Sequence, residues 1–303
     1  MRPLIGVDWG TTSLRVARLD IHGHAAEERE LPRGILTVEP GGFLQVFEQA
    51  CGDWMQQPGA LALICGMAGS RQGWVEAPYA ACPAALDELA GQLCWVEPGC
   101  IAIVPGLVCR QGGVPDVMRG EETQAFGALK LLGRQDALIV MPGTHSKWAR
   151  MRSGRMESFA TFMTGEFYAL LRQHSILART LEDDDHALDE DALRRGVDHA
   201  MACGHLLHAA FSTRTLALFD QLTPRAGNSF LSGLLIGEEL RARPRQAGGD
   251  ALVLVGAPRL LQRYGAALRH LGVEFETLGH EATWQGLAAM ARFLETGRCP
   301  QAA

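Results

Sequence analysis

The sequence predicts an α/β protein made of two related halves, and three observations predict it. Short apolar runs bounded by turn residues alternate with segments of helical spacing along the 303 residues. A Gly-Thr-x-Ser turn that follows a strand occurs twice, at Gly10 and at Gly143, too far apart for a solenoid repeat. Glycine is in excess, with 35 residues, about 12% against a usual ~7%. Many tight turns are therefore expected.

In chain order, the first strand covers 4–8 and ends in an acid, Asp8; a second over 14–19 follows at hairpin distance. Further strands are expected at 61–65, 101–104, 137–141, 148–151, 156–162 and 251–255. Helical spacing marks 43–56, 83–91, 119–132, 165–175, 191–211, 228–241, 258–270 and 281–295. The helix from 119 carries acids in its first turn before Ala125-Phe126-x-x-Leu129, and the one from 258 opens on a proline. Thr164 reads as the N-cap of the helix from 165. The acidic run Glu182 to Asp185 has neither a flanking glycine turn nor regular ligand spacing and reads as a solvated loop.

Composition narrows the class. With 47% hydrophobic and 20% charged residues, disordered and collagen-like chains are excluded. No apolar stretch reaches the ~20 residues of a membrane-spanning helix, and Met1-Arg2-Pro3 runs straight into the first strand with no signal peptide. A net charge of −6 argues against a nucleic-acid binder. The eight cysteines form no C-x-x-C pair, so neither zinc nor a disulfide framework is expected, and the reducing cytoplasm fits best. Of 28 basic residues only Lys130 and Lys147 are lysine, which marks Lys147 as a position where arginine does not serve.

The repeat carries the chemistry. Asp8-Trp9-Gly10-Thr11-Thr12-Ser13 and Met141-Pro142-Gly143-Thr144-His145-Ser146 continue into Ala-Arg-Leu and Ala-Arg-Met, then into second turns at Gly23 and Gly154 and a further extended segment. A strand, a tight turn and a second strand aim backbone N–H groups and hydroxyls into one concavity, a nest for an anion. Two such nests facing across a cleft suit a polyphosphate. Asp8 at the end of a buried strand needs a cation or donors, and beside a phosphate the natural partner is Mg²⁺ held largely through water. A third βα turn, at Gly256-Ala257, permits close approach of a planar ligand beside a helix N-terminus.

These motifs in this order resemble the actin-like ATPase superfamily of sugar kinases, hexokinases and exopolyphosphatases. Within it the chain is similar to the 2-dehydro-3-deoxygalactonokinase family through Val7 to Ser13, Gly66-Met-Ala-Gly-Ser-Arg-Gln-Gly-Trp74, Met118-Arg-Gly-Glu-Glu-Thr-Gln124, Met141 to Trp148 and Phe162-Met-Thr-Gly-Glu166. The resemblance runs to about residue 285. It implies a ribonuclease H-like duplicated fold with domain I at 1–133 plus 282–303, domain II at 134–281, and an interdomain cleft.

By that resemblance Gly10, Thr11, Thr12 and Ser13 hold the β/γ-phosphates of ATP, Gly143, Thr144, His145 and Ser146 form the second grip, and adenosine sits at Gly256 and Ala257. Many superfamily members have an Asp where this chain has Met141; Lys147 either compensates as a point charge or faces solvent. Phosphorylating a hydroxyl needs a carboxylate to take its proton. Asp116, Glu121 and Glu122 cluster at the entry to a helix, with Glu121 ranked first and Glu122 second. The carboxylate of a 2-keto-3-deoxy sugar acid calls for an arginine fork, Arg71 first and Arg119 in reserve, and Trp74 packs on the sugar or joins the core. The resemblance thus implies ATP- and Mg²⁺-dependent phosphorylation of 2-dehydro-3-deoxy-D-galactonate, a step of galactonate catabolism. A gluconate-type kinase, an exopolyphosphatase-like hydrolase and a non-catalytic nucleotide-binding regulator are the alternatives. A homodimer stays open.

Overall fold

The computed structural model describes residues 2–185, 187–242 and 250–296; Cys299 and the last seven residues of the expected domain I lie outside them. The described chain forms two compact units, one of residues 1–137, 149–159 and 278–303, the other of 138–148 and 160–277.

In the first unit β1 (Leu4–Trp9), β2 (Leu14–Leu19) and β3 (Ala25–Leu31) form a meander. Helix α1 (Phe43–Met55) follows and presents Phe43, Val46, Phe47, Ala50 and Trp54 to the sheet at three- and four-residue spacing. Strand β4 (Leu61–Gly66) is buried throughout, as its unbroken apolar run requires. Then come β5 (Tyr79–Ala81), β6 (Ala84–Ala85), the five-residue α2 (Leu86–Ala90), β7 (Cys94–Glu97), β8 (Ile101–Ile103), β9 (Gly106–Gln111), β10 (Val114–Met118) and α3 (Glu121–Leu132). The main sheet has the order β3-β2-β1-β4-β8-β7, with β1 and β4 parallel and ending together at Trp9 and Gly66. In such sheets ligands collect at the C-terminal strand ends, so Asp8 and Gly66 mark the working edge.

The second unit takes residues 138–148 and 160–277 of the elements that follow, β11 (Ala137–Met141), β12 (Ser146–Arg152), β13 (Arg155–Phe162), α4 (Thr164–His174), α5 (Glu190–Cys203), α6 (Leu206–Ala209), α7 (Ser212–Leu218), α8 (Pro224–Ala242), β14 (Leu252–Val255), α9 (Pro258–His270) and β15 (Glu276–Leu278). Its strands run β15-β14-β11-β12-β13. The chain closes with α10 (Glu281–Thr296) in the first unit. Both units cross two helices at glycines. A Cβ on Gly127 of α3 would lie 1.7 Å from the carbonyl oxygen of Ala282 of α10, and one on Gly233 of α8 would lie 2.0 Å from that of Leu193 of α5. The glycine excess is partly spent on these crossings, not only on turns.

Several elements differ from the sequence expectation. The segment 83–91 begins as strand β6, because Ala84 and Ala85 pair with Met156 and Arg155 of β13, and only 86–90 are helical. The expected helix over 191–211 stops at Cys203, where Gly204 adopts a left-handed conformation and its N–H bonds the carbonyl of Ala200. The chain resumes as two short helices. Strand β3 lacks an apolar run because it is an edge strand carrying Glu27, Glu28, Arg29 and Glu30, which also deters edge-to-edge pairing. The β9–β10 hairpin was not among the expected strands; its signal is Gly112-Gly113, whose positive φ values suit a two-residue turn.

Candidate active site

The first turn joins β1 to β2. Gly10 N–H donates to the Ser13 carbonyl at 2.9 Å, and Ile35 and Leu36 donate to the carbonyls of Gly10 and Thr11 at 3.0 and 3.3 Å. These bonds use the carbonyls on the protein side and leave Thr11 and Thr12 exposed. Gly34 makes the arrangement possible, since a Cβ there would fall 2.2 Å from the Thr12 nitrogen. Asp8 sits opposite Arg15 in the hairpin, and the Arg15 guanidinium hydrogen-bonds its Oδ2. The partner this structure gives Asp8 is thus an arginine, where the sequence pointed to a metal ion. Its Oδ1 meets the Cys65 thiol, at 4.0 Å, which burial keeps protonated. An oxygen so lightly engaged on a partly exposed acid fits a hard cation bound mainly through water. Among the described residues no group of three or more His, Cys, Asp or Glu is arranged to hold a metal.

Next to Asp8 lie the helix-entry acids. Gly66 at φ 90° and Gly120 at φ 108° let the end of β4 and the start of α3 abut; a Cβ on Gly120 would lie 3.0 Å from the Gly66 Cα. Glu122 has no exposed surface; its Oε2 accepts from Gly120 N–H at 2.7 Å and its Oε1 from the Thr123 hydroxyl at 3.2 Å. Burial, reinforced by the neighbouring Glu121 charge, pushes its pKa up to about 7. Glu121 is half-buried and accepts from Arg119 N–H at 3.0 Å. Asp116 lies in β10 opposite Cys109.

Beyond Gly66 the chain turns through residues 67–77. Trp74 is half-buried, edge-on to Trp9 with centroids 6.1 Å apart and 5.6 Å from Phe47, so one side of it belongs to the core. Its remaining surface lines a pocket of about 290 Å³ together with Val38, Phe43, Arg71 and Gln72. Arg71 is 86% exposed, with Glu76 at 3.4 Å as its ion-pair partner. Arg119, the reserve anchor, is buried instead. Its guanidinium stacks on Tyr79 at 4.3 Å and donates to the Ala77 carbonyl at 2.9 Å, which makes it a brace for this loop.

The second turn is backed in the same way as the first. A Cβ on Gly165 would lie 2.3 Å from the Gly143 carbonyl oxygen, and Glu166 N–H donates to the Thr144 carbonyl at 2.9 Å. His145 Nε2 and Glu166 Oε2 are 2.6 Å apart. Thr144 and His145 are exposed, but Ser146 is buried, and its hydroxyl donates to Glu239 at 2.7 Å. Lys147 does not face solvent. It is buried, and its Nζ donates to the Thr161 hydroxyl at 2.9 Å. Thr164 is the first residue of α4 and not its N-cap; its hydroxyl donates to Glu239. Gly256 lies against the Pro142 carbonyl, and Ala257 is the N-cap of α9. Ala257, Gly143 and Thr144 all line one pocket of about 340 Å³.

A sequence model of the family described as 2-keto-3-deoxy-galactonokinase matches residues 8–290. The chain belongs to the 2-keto-3-deoxy-galactonokinase family. It is 38% identical over 295 residues to a protein of Rhizobium meliloti (strain 1021) named a probable 2-dehydro-3-deoxygalactonokinase, covering 94% of this chain and 95% of that one. It is 33% identical to the 2-dehydro-3-deoxygalactonokinase of Escherichia coli (strain K12), covering 95% and 97%. A crystal structure from Sinorhizobium meliloti, provisionally given the same kinase name, superposes with a TM-score of 0.88 at 36% identity over 96% of this chain and 99% of that one. An activator of 2-hydroxyisocaproyl-CoA dehydratase from Clostridium difficile, at 11% identity, covers 99% of each chain with a TM-score of 0.52 and shares the actin-like ATPase fold.

Membership of this galactonokinase family implies ATP as phosphoryl donor. Glu239 of α8 is buried and accepts from Ser146, Trp148 Nε1 (2.6 Å), Thr164 and Tyr264 (2.6 Å). It ties β12, α4 and α9 together beneath the second turn. Its signal was an acid within the apolar stripe Leu235, Ile236, Leu240. Asp185, expected in a solvated loop, is buried and paired with Arg259 and Arg263. Local composition hides it, because its partners lie more than 70 residues away. No helix among the described residues is long and apolar enough to cross a membrane.

Proposed function

We propose that this chain transfers the γ-phosphoryl group of ATP to the terminal hydroxyl of 2-dehydro-3-deoxy-D-galactonate, giving 2-dehydro-3-deoxy-6-phospho-D-galactonate in galactonate catabolism. The observation that carries the reading is the pair of Gly-Thr turns, each backed by a glycine so that exposed threonines form its outer surface, in a chain of this family. Such turns bind phosphate through backbone N–H groups and hydroxyls, which suits a protein of net charge −6.

In this reading Gly10 to Ser13 take the β/γ-phosphates, Gly143, Thr144 and His145 form the second grip, and Gly256 and Ala257 border the nucleoside. Ser146 and Lys147 support the second grip from within, as their burial favours. Domain I is assigned to 1–133 with 282–303 and domain II to 134–281. Asp8 would hold Mg²⁺ through water, and the ion would supply neutralisation of the phosphate charge. Glu121 accepts the hydroxyl proton, because Glu122 has no surface with which to touch a substrate. Glu122 sits behind it, where burial and the Glu121 charge disfavour a second negative charge. Arg71 engages the sugar-acid carboxylate and Trp74 the sugar face, within the pocket they share. The seven described cysteines are free thiols, which favours the cytoplasm.

The deciding experiment is ADP release measured over a panel of 2-keto-3-deoxy sugar acids with and without Mg²⁺. Preference for the galactonate epimer is expected. Preference for the gluconate epimer would reassign the substrate, release without any sugar acid would indicate a hydrolase, and ADP binding with no turnover would indicate a regulator.

A further inference from the structure

We propose, independently of the phosphoryl-transfer reading, that the helical layer formed by α4, α6 and α7 of the second unit is the contact face of an isologous homodimer, its occupant a second copy of this chain. Eight of the sixteen large apolar residues exposed among the described residues fall between 163 and 219, and the other eight are scattered over the first 131 residues. The clustering has a structural origin. Helices α4, α6 and α7, with the 3-10 turn Ile176–Thr180, cover a buried cluster of α5 and α8 that includes Ala192, Ala200, Phe230, Leu231 and Leu234.

This layer is apolar on both faces. Tyr168, Leu171, Leu177, Leu206 and Leu216 belong to that cluster or pack against it. Next to them in the chain Phe167, Leu170, Ile176, Leu207 and Leu218 are exposed, and Phe211 and Phe219 add to the exposed set. No residue of α4 is fully buried. A surface helix needs one apolar stripe, whereas helices apolar on two sides are stable where both sides are covered. At roughly 200 Å² for a large apolar residue, the seven exposed ones leave about 750 Å² open. That exceeds the ~300–600 Å² of the largest patch on an ordinary monomer and matches the ~800 Å² each partner contributes to a standard interface.

The charges around this layer favour a second copy over a lipid surface. Arg179 is exposed, and Arg214 donates to the Ile176 carbonyl at 3.3 Å, so positive charge lies beside the 3-10 turn. Glu182 and Asp183 are exposed next to α4, whose Arg172 donates to both of their carbonyls. A two-fold axis can set each sign against its opposite, because in an isologous interface residue i meets j while j meets i. A lipid surface calls for a uniformly basic rim.

The test is sedimentation equilibrium of the full chain over about a hundredfold range of concentration. Wild type should sediment at twice the chain mass at the upper end and dissociate on dilution. Leu207→Glu and Phe219→Glu, at positions 81% and 75% exposed, remove little that holds one chain together. Each change enters a two-fold interface twice and should raise the dimer dissociation constant at least about a hundredfold. An unchanged circular dichroism spectrum checks that the variants are folded. Val114→Glu, 71% exposed in the first unit, should leave the dimer intact. A wild-type chain of single mass throughout overturns the proposal, as does a dimer that survives both patch substitutions or yields equally to Val114→Glu. Single chains that bind phospholipid vesicles, and lose them in Leu207→Glu, overturn it in favour of a membrane contact. None of these outcomes bears on ADP release with the sugar acid.

Discussion

Replacing Glu122 by Gln isolates what burial does to this carboxyl. The amide keeps the shape and an acceptor oxygen for Gly120 N–H or the Thr123 hydroxyl, but it cannot ionise. In the folded chain the acid's pKa is raised from 4.5 to about 7. Between those two values the unfolded chain has released the proton and the folded chain retains it, so folding binds a proton and stability falls as pH rises. The loss is complete above pH ~7 and amounts to about 3 kcal/mol at roughly 1.4 kcal/mol per pH unit. Glu122→Gln escapes it. Thermal or urea unfolding of both proteins from pH 5 to 8 should show the variant gaining several degrees in Tm relative to wild type as pH rises. A stability difference that stays constant across that range, or that moves in favour of wild type, would refute the argument that burial and the Glu121 charge hold this acid near neutrality.

Three other perturbations test the remaining geometry. Gly34→Ala puts a methyl where Thr12 nitrogen is only 2.2 Å away, so the first turn must shift; the KM for ATP should rise at least tenfold, and an unchanged KM would separate that turn from the nucleotide. Glu239→Leu leaves Trp148 Nε1 and three hydroxyls without their acceptor and should cost about 3–5 kcal/mol in urea unfolding, whereas a loss under 1 kcal/mol would show that the network carries little. Arg71→Ala should raise the KM for the sugar acid tenfold or more with the KM for ATP unmoved, since its side chain is exposed and lines a pocket that neither turn lines; equal effects on the two constants would argue against a carboxylate anchor.

Much of this protein was determined by the sequence alone. The repeated Gly-Thr-x-Ser turn, the strands that precede it and the family resemblance are all local signals, because a tight turn and a buried strand depend on residues adjacent in the chain. Short strands such as β5 and β6 escaped, since a two- or three-residue strand is defined by its neighbour and not by its own pattern. Only the tertiary structure decided which polar residues are buried. It drew Asp185 to Arg263 and Ser146 to Glu239, paired Asp8 with Arg15, left Arg71 in solvent and put Arg119 under a loop. Burial and charge pairing are set by residues distant along the chain, and from them follow the pKa of Glu122 and the unpaired donor of Arg263.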